Sequence, residues 1–332
     1  MKIPFAMRAA LYPLSRVYGR CVSFRKSLYA KKWLKQKRLK AAVISVGNLT
    51  VGGTGKTPMV LWLAEKFLSE GKKVAILSRG YHGSQGTSDE VELLRHRLGE
   101  RVKFGVGRNR FASGQILEAQ EPVDIFLLDD GFQHIQLARD LDILMLDGSR
   151  KLKDEWLLPA GLLREPIAAC RRADILIVSR NFEHPPIEAH DDHKFSIFYA
   201  QTRLLGFRRF GSNDTPLNLS EIGPGPFYAF CGIGNPEAFF ADLTNWHVPL
   251  AQQRAFPDHH KYSLRDTERL QREAARCSAR GLVTTEKDAQ NLPVSAVRMP
   301  VWVAVIDFVF TAESELVAAI DRILQTRRGA AT

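Results

Sequence analysis

The sequence predicts an α/β protein with a P-loop NTPase-type, doubly wound parallel sheet, a second, smaller α/β domain and an N-terminal amphipathic helix. Short apolar runs of strand length alternate along the chain with segments of helical periodicity. Several of these runs end in polar residues, as parallel strands do when their carboxyl ends face a ligand. The length of 332 residues suggests about two domains.

Composition excludes several other classes of protein. Hydrophobic residues make up 45% of the chain and charged residues 25%, which excludes a disordered, collagenous or coiled-coil protein. No apolar run approaches the roughly 18 residues of a membrane-spanning helix. The four cysteines are far apart and include no C-x-x-C pair, so neither a zinc knuckle nor a disulfide framework is indicated. A reducing compartment fits this pattern.

The net charge of +11 is concentrated at the N-terminus. Residues 1–40 contain twelve Lys or Arg residues and no Asp or Glu, whereas the rest of the chain has a net charge of −1. Such an asymmetry predicts an anionic partner that the N-terminal segment contacts.

The N-terminal segment has the periodicity of a helix from about Leu14. Its apolar face comprises Val17, Tyr18, Cys21, Val22, Phe24, Leu28, Tyr29 and Trp33. Lys and Arg residues occupy the opposite face, a pattern typical of a helix that lies in a membrane interface. Two alternatives stay open at this point. The helix could pack on its own domain, or the interleaved basic and aromatic residues could bind single-stranded nucleic acid.

A phosphate-binding loop follows the first predicted strand, residues 41–46. The next residues are rich in glycine and end in Gly-Lys-Thr, and residues 59–68 have the pattern of a helix. Strand, glycine loop and helix in this order predict a P-loop. Lys56 is expected to reach the β- and γ-phosphates of the nucleotide, and the Thr57 hydroxyl to bind Mg²⁺. The loop residues expected around the phosphates are Thr50, Val51, Gly52, Gly53, Thr54 and Gly55, with Thr50 where the general pattern has glycine.

A second metal-binding carboxylate is predicted at the end of a neighbouring strand. The apolar run 123–128 leads directly into Asp129-Asp130-Gly131-Phe132-Gln133-His134. Asp129 is the candidate for holding Mg²⁺, directly or through water. Asp130, Gln133 and His134 are expected to line the acceptor or γ-phosphate side. The alternative is a turn at the end of the strand, in which the two aspartates only cap the turn and bind no metal.

Six further strands are predicted, at residues 74–77, 141–146, 175–178, 227–231, 282–285 and 301–306. The expected domains are a membrane-interface segment at 1–40, a P-loop core at 41–186 and a smaller α/β domain at 187–332. The acidic and histidine-rich stretch 190–193 follows two prolines. We interpret it as an exposed linker between the domains rather than a metal site.

Seven sequence blocks resemble one known family, the tetraacyldisaccharide 4′-kinases of lipid A biosynthesis. In chain order they are VGNLTVGGTGKTP (46–58), SRGY (78–81), SDE (88–90), LDDGFQH (128–134), LPAGLLREP (158–166), FPDHH (256–260) and TTEKD (284–288). The resemblance covers nearly the whole chain. It implies a two-domain α/β kinase that uses ATP and Mg²⁺ to phosphorylate the 4′-hydroxyl of a tetraacylated glucosamine disaccharide 1-phosphate, giving lipid IVA.

The resemblance also assigns a catalytic base. It implies that Asp89 accepts the proton of the attacking hydroxyl, paired with a histidine that corresponds to His259, although the neighbouring His260 leaves the pairing open. Physically, an imidazole beside a carboxylate can orient it and share its charge. Arg164 is expected to neutralise charge on the transferring phosphate, and Glu165 to join the Mg²⁺ shell. The alternative for Arg164 and Glu165 is a surface ion pair.

The expected partners follow from the same resemblance and from the charge of residues 1–40. They are an anionic lipid substrate and a membrane surface, at the cytoplasmic face of a bacterial inner membrane, with no nucleic acid and no obligate protein partner. A membrane-associated P-loop switch or carrier ATPase remains the first alternative, since it shares the Gly-Lys-Thr loop and the basic helix. A nucleic-acid-binding ATPase is the second. Neither alternative needs Asp89 and His259.

Overall fold

The structure is a computed structural model that describes residues 4–80, 88–150, 152–153, 155–180, 195–212 and 214–329. The chain forms two compact units. The first unit comprises Met1–Tyr81, Leu98–Gln201 and Val309–Thr332. The second unit comprises His82–Arg97 and Thr202–Phe308.

The described residues form eleven strands and eight α-helices. The strands are β1 (Ala42–Asn48), β2 (Val74–Ser78), β3 (Lys103–Val106), β4 (Ile125–Asp129), β5 (Leu141–Asp147), β6 (Ile175–Ser179), β7 (Ser196–Arg209), β8 (Phe227–Cys231), β9 (Leu250–Ala255), β10 (Gly281–Thr285) and β11 (Val301–Phe310). The helices are α1 (Phe5–Ala30), α2 (Lys56–Ser69), α3 (Asp89–Leu98), α4 (Arg110–Gln120), α5 (Pro236–Asn245), α6 (Leu264–Arg276), α7 (Glu286–Ala289) and α8 (Glu313–Gly329).

The first unit is built on parallel strands in the order β3-β2-β4-β1-β5-β6-β7. Strands β1, β4, β5 and β6 are buried along their whole length, as expected for strands covered on both faces. Helix α2 packs on β1, β2 and β4. Val46 of β1 lies opposite Asp129 of β4, so the carboxyl ends of these two strands meet at one edge of the sheet.

The second unit contains strands in the order β11-β10-β8-β9, and the pairs among them are parallel. Helices α6 and α7 pack against β10, and α5 packs against β8 and β9. Because the strands are parallel, the loops that follow β8, β9 and β10 leave the sheet at the same edge. This edge therefore brings together residues that are distant in the sequence.

All eight predicted strands are present, and the predicted α/β class is confirmed. Strands β3, β7 and β9 were not predicted from the sequence. Exposed and half-buried residues alternate with buried ones in β3 and β7, and β9 has no fully buried residue. None of the three therefore appears in the sequence as a continuous apolar run.

The two compact units are not separated at a single point of the chain, and the predicted domain boundary at residue 186 stays a prediction. Residues 82–97 belong to the second unit, and the C-terminal residues 309–332 belong to the first. Helix α8 returns to pack on β5, and Arg327 pairs with Asp174 at 2.5 Å. Such long-range packing has no signature in the linear sequence. The predicted linker at 190–193 lies outside the described residues.

Helix α1 begins earlier and ends earlier than predicted. It starts at Phe5 rather than about Leu14 and ends at Ala30, so Trp33 lies beyond the helix. Ser15 and Gly19 are buried on one face. The Ser15 hydroxyl on this face donates to the carbonyl of Leu157 at 2.8 Å. Helix α1 thus packs on the first unit through a narrow face of small and polar residues.

The described helices and the four cysteines bear on membrane spanning and on disulfide formation. The described helices include none with both the length and the hydropathy needed to cross a bilayer. Cys21, Cys170, Cys231 and Cys277 are all free thiols.

Gly47 of β1 provides a stability prediction. A Cβ at this position would lie 2.6 Å from the backbone nitrogen of Phe132. We expect Gly47→Ala to lower the free energy of unfolding by about 1–3 kcal/mol, because the 131–134 turn must move away from β1. Gly53→Ala is the control, since its Cβ would meet nothing within 4 Å. Chemical denaturation measures both variants, and equal midpoints would contradict the close packing of this turn.

Candidate active site

The glycine-rich loop after β1 has the backbone that phosphate binding requires. Gly52 and Gly55 have φ of 108° and 87°, which L-residues rarely adopt, and Gly55 is the N-cap of α2. The Asn48 side chain donates to the Thr54 hydroxyl at 3.0 Å and so fastens the loop to the end of β1. Free N–H groups at the start of a helix attract phosphate. The loop can therefore hold the phosphates of a nucleotide.

Thr50 occupies the position where the general P-loop pattern has glycine. It is buried and forms an isolated antiparallel bridge with Leu163. Next to it, the Val51 N–H donates to the carbonyl of Leu162 at 2.9 Å. A residue in a β-bridge has an extended backbone, so no glycine is needed at position 50.

Asp130 brings two basic side chains together beside the loop. The Arg164 guanidinium Nη1 donates to both carboxylate oxygens of Asp130, at 2.8 and 2.7 Å, and Lys56 Nζ lies 3.7 Å from Oδ1. Burial raises the pKa of Asp130, but Lys56 and Arg164 more than offset this and lower it overall. Three predicted site residues thus lie in one cluster of charges.

Thr57 and Asp129, the two predicted Mg²⁺ ligands of the P-loop core, lie on α2 and on the strand next to β1. Thr57 is in the first turn of α2, and Asp129 is the buried last residue of β4, the strand next to β1. The described residues include no group of three or more His, Cys, Asp or Glu side chains that could hold a metal ion. Mg²⁺ typically binds to one or two protein oxygens and completes its shell with phosphate oxygens and water. A single hydroxyl and a single carboxylate therefore fit this ion.

Glu165 has contacts that differ from those expected. Its side chain is buried, and Oε2 accepts from Lys26 Nζ and from Arg172 Nη1, each at 2.7 Å. Burial raises the pKa of Glu165, but Arg172 and Lys26 lower it overall. Glu165 does not pair with Arg164, which instead contacts Asp130. In this structure Glu165 anchors α1 to the rest of the first unit through Lys26, and its predicted role in the Mg²⁺ shell stays a prediction.

Gln133 and His134 lie close to the P-loop elements. The Gln133 side-chain amide donates to the carbonyl of Asn48 at 2.9 Å, and its oxygen is 3.5 Å from Arg164 Nη1. Burial, together with Arg110 and Arg139, lowers the pKa of His134 to about 4. His134 is therefore neutral near pH 7 and can act as both a donor and an acceptor.

Arg110 lies beside the candidate Mg²⁺ ligand Asp129 but was not predicted from the sequence as a site residue. Its side chain is buried, and Nη2 donates to the backbone carbonyl of Asp129 at 3.1 Å. A signal was available, because an Asn-Arg pair starts the helical pattern of α4 and Asn109 is its N-cap. Arginines rarely lie buried without a specific partner, but burial is visible only in the structure.

In the second unit, Asp89 contacts His259. His259 Nδ1 lies 3.2 Å from Asp89 Oδ2, and Asp89 is buried whereas His259 is partly exposed. Asp89 is the first residue of α3, but Ser88 is placed to cap the helix. The Ser88 backbone carbonyl accepts from the Glu92 N–H at 3.0 Å, and its hydroxyl lies 3.4 Å from the Val91 nitrogen. The Asp89 carboxylate is therefore not needed as a cap.

The two groups stabilise each other's charged forms. Burial raises the pKa of Asp89, but hydrogen bonds from His259 and Asn291 and the charge of Lys287 lower it overall. The hydrogen bond to Asp89 is the main cause that raises the pKa of His259. Asp89 is thus ionised near pH 7, with an imidazole beside it that can share the charge of a proton.

His260, the other candidate for this pairing, faces elsewhere. Its ring stacks on Phe256 with centroids 4.6 Å apart, and its Nε2 lies 3.3 Å from Asp266 Oδ2. The structure therefore places His259, not His260, against Asp89. Lys287 and Asp288, to which the sequence analysis assigned no role, also lie close to His259. Lys287 Nζ is 3.3 Å from His259 Nε2.

The fold and these residues define a class of protein. A parallel sheet with a Gly-Lys-Thr loop at the start of α2 and a buried aspartate at the end of the adjacent strand is typical of P-loop nucleotide-binding proteins. The Asp89–His259 pair adds a group that can accept a proton from a hydroxyl. Together they are typical of a P-loop phosphotransferase.

Comparisons with known proteins identify the family. The sequence pattern of the tetraacyldisaccharide-1-P 4′-kinase family matches residues 7–325. The tetraacyldisaccharide 4′-kinase of Syntrophobacter fumaroxidans is 40% identical over 281 residues, which are 78% of this chain and 74% of that protein. The enzyme of the same name from Geobacter metallireducens is 37% identical and covers 95% of this chain and 98% of its own length. This chain belongs to the tetraacyldisaccharide-1-P 4′-kinase family.

A solved structure agrees with this result. The crystal structure of LpxK from Aquifex aeolicus in complex with ATP matches with a TM-score of 0.76 at 31% identity. The match covers 96% of this chain and 99% of that chain. The family resemblance and the P-loop fold class predicted from the sequence are both confirmed.

Proposed function

We propose that this protein transfers the γ-phosphoryl group of ATP to the 4′-hydroxyl of a tetraacylated glucosamine disaccharide 1-phosphate. The product is lipid IVA, an intermediate of lipid A biosynthesis. Family membership supports this reaction, and the contact between Asp89 and His259 is the observation that carries it. A switch or carrier ATPase has water as its only acceptor and has no need of this pair.

The residues of the first unit act on the nucleotide. The N–H groups of loop residues 50–55 bind the phosphates, and Lys56 places an ammonium group near the β- and γ-phosphates. Thr57 and Asp129 would hold Mg²⁺, which would neutralise phosphate charge. Asp130 orients Arg164, whose guanidinium stabilises charge on the transferring phosphoryl group.

The acceptor reacts through its 4′-oxygen. A bond forms between this oxygen and the γ-phosphorus, while the bond from the γ-phosphorus to the β-bridging oxygen breaks and ADP leaves. Asp89 takes the hydroxyl proton. His259, which contacts Asp89 through Nδ1, keeps the carboxylate oriented and shares its change of charge.

Transfer of label tests this function. Purified protein is incubated with ATP labelled at the γ-phosphate and a tetraacylated disaccharide 1-phosphate, and label is counted in the extracted lipid. The matched control is the same lipid with the 4′-hydroxyl replaced by hydrogen. We expect label in the first lipid only. Phosphate release that is equal with both lipids, without labelled lipid, would instead support the switch ATPase.

The exposed face of α1 supports a membrane-surface role. Met7, Leu14, Val17 and Phe24 are between 48% and 64% exposed and lie along one stripe of the helix. Exposed Arg16, Arg20 and Arg25 flank this stripe. The face with Ser15, Tyr18 and Lys26 instead contacts the first unit. Packing on its own domain therefore uses only one side of α1 and leaves an apolar stripe between arginines.

We infer that this stripe lies in an anionic lipid surface, with the protein peripheral at the cytoplasmic face of a bacterial inner membrane. ATP is available on that side, and the acceptor is itself an anionic lipid. Basic residues add electrostatic attraction to anionic headgroups, and the apolar side chains insert at the interface. The helix would thereby bring the enzyme to its substrate.

Removal of charge just beyond α1 tests this inference. Lys31, Lys32 and Lys35 are exposed, and we expect their joint replacement by glutamine to weaken binding to anionic vesicles by about two decades at low salt. This estimate assumes about 1 kcal/mol per charge. The matched control replaces exposed Lys72, Lys73 and Arg276 with glutamine, which removes the same charge elsewhere. Vesicle co-sedimentation measures both variants.

Two results would argue against the membrane role. Equal vesicle binding by the test and control variants would mean that net charge alone is responsible. Stronger retention on a single-stranded oligonucleotide than on anionic vesicles would favour the nucleic-acid alternative. Turnover on a short-chain, soluble acceptor should be the same in the test variant and in the wild type.

A further inference from the structure

We propose that helix α7, which directly follows β10, positions His259, with Asp288 holding the backbone of the His259 loop and Lys287 occupying Nε2 of the His259 ring. Both residues act through His259, so they are positioning residues for the dyad. This inference rests on the proposed function, because it assumes that Asp89 and His259 work as one unit.

Asp288 is connected to the His259 backbone by two consecutive hydrogen bonds. Its buried carboxylate accepts from the Gly232 N–H at 2.7 Å and from the Tyr262 hydroxyl at 2.8 Å, both at Oδ1. The Thr285 hydroxyl donates to Oδ2 at 2.6 Å. Gly232 in turn accepts the His259 N–H at its carbonyl, at 3.0 Å. Asp288 therefore sets the position of Gly232, and Gly232 sets that of His259.

The His259 backbone needs such support. Its φ is 58°, in the left-handed region that is unfavourable for a non-glycine residue. Close packing keeps the loop there. A Cβ on Gly232 would lie 2.9 Å from the carbonyl oxygen of Pro257 and 3.1 Å from Asp288 Oδ1. The loop after β9 thus packs closely against the end of β8.

Lys287 determines which ring nitrogen of His259 carries hydrogen. An ammonium group can only donate, and Lys287 Nζ lies 3.3 Å from His259 Nε2, so Nε2 must present its lone pair. The hydrogen of the neutral ring is then on Nδ1, which faces Asp89 Oδ2 at 3.2 Å. Glu90 and Asp258 are 3.7 and 3.9 Å from Nε2, too far to accept a hydrogen bond from it. With this tautomer, His259 donates to the base.

Lys287 also opposes the carboxylates around the imidazole. Asp89 and Glu90 from α3 and the adjacent Asp258 favour protonation of His259, whereas Lys287 from α7 disfavours it. The Asp89 hydrogen bond and these charges raise the pKa of His259, and Lys287 limits the rise. Without Lys287, that pKa increases further, and His259 stays charged to higher pH. A charged imidazole makes Asp89 a weaker base, so the acidic limb of the pH–rate profile should move to higher pH.

Lys287→Met is the first test, with Lys261→Met as its matched control. Lys261 is an exposed lysine two residues from His259. Its replacement by methionine removes the same charge without removing a contact to the His259 ring. NMR of protein labelled with nitrogen-15 in histidine reports the tautomer and the titration of His259. In the wild type and in Lys261→Met we expect an unprotonated Nε2. In Lys287→Met we expect the Nε2–H form to appear and the ring to titrate at higher pH.

Kinetics supply a second readout of the same variants. We expect kcat of Lys287→Met to fall between about ten- and a hundredfold, with KM for ATP unchanged and the acidic limb moved to higher pH. Lys287→Gln can still donate to Nε2 but carries no charge, so it should keep the wild-type tautomer while the acidic limb still moves to higher pH. It also serves as the test variant if melting curves show that Lys287→Met does not fold. A wild-type tautomer and titration in the folded Lys287 variants would overturn the role of Lys287.

Asp288 is tested by rescue. Asp288→Asn keeps an oxygen that can accept from the Gly232 N–H, whereas Asp288→Ala leaves this N–H and the Tyr262 hydroxyl without that acceptor. We expect Asp288→Ala to lower kcat about tenfold or more and to change the His259 signals, and Asp288→Asn to restore both. Equal kcat and equal His259 signals in the two variants would overturn the role of Asp288.

Failure of the proposed function is distinguishable from failure of this inference. Full activity of Asp89→Ala would show that Asp89 is not the base. The NMR spectra of the Lys287 variants would still report which tautomer His259 adopts. Conversely, an inactive Asp89→Ala with unchanged His259 spectra in the Lys287 variants would overturn only the positioning role.

Discussion

Lys56→Ala is expected to abolish phosphoryl transfer and to leave the fold intact. Lys56 places an ammonium group at the end of the P-loop, where the charge on the transferring phosphoryl group develops. Removal of one such stabilising group typically costs about 10²–10³-fold in kcat. The loss should persist at saturating ATP, because it concerns the transition state rather than binding alone. Initial rates of label transfer to the lipid acceptor measure it.

The fold should survive because the neighbouring carboxylate keeps a partner. Asp130 loses Lys56 at 3.7 Å but retains two hydrogen bonds from Arg164 at 2.7 and 2.8 Å. No buried charge is therefore left unpaired. Lys72→Ala is the control, since Lys72 is an exposed lysine just beyond α2. Near-wild-type turnover in Lys56→Ala, with matching melting curves, would refute the assignment of the nucleotide site.

Asp89→Ala and His259→Ala should each lower kcat by about 10²–10⁴-fold, the usual contribution of general acid–base catalysis. We expect the double variant to lose far less than the product of the two separate losses. His259 Nδ1 contacts the Asp89 carboxylate at 3.2 Å, and residues that act as one unit are not additive. A complete cycle of the wild type, both single variants and the double variant measures this coupling.

His260→Ala is the matched control for the dyad. This neighbouring imidazole stacks on Phe256 and contacts Asp266 rather than Asp89. We expect His260→Ala to lower stability more than it lowers kcat. Melting curves measure the stability, and rates at a temperature where the variant is folded measure kcat. Fully multiplicative losses for Asp89 and His259, or a loss in His260→Ala as large as that in His259→Ala, would show that the dyad is assigned wrongly.

The sequence by itself determined the features that depend on neighbouring residues. The P-loop was predictable because a buried strand, a glycine loop and a helix follow one another between residues 41 and 68, and each has a local signature. Asp129 was predictable for the same reason, since it directly follows an apolar run. Buried strands such as β1 and β5 appear as continuous apolar runs, whereas β9, with no fully buried residue, does not.

Only the tertiary structure decided which distant side chains meet. Asp89 and His259 are 170 positions apart, and the choice between His259 and His260 depended on a left-handed backbone at residue 259. Glu165 lies next to Arg164 in the sequence, yet it binds Lys26 and Arg172. These outcomes depend on strand order and on the geometry of the loops at the carboxyl ends of the strands. Side-chain periodicity carries information about the faces of one element, but pairing between elements depends on how they pack.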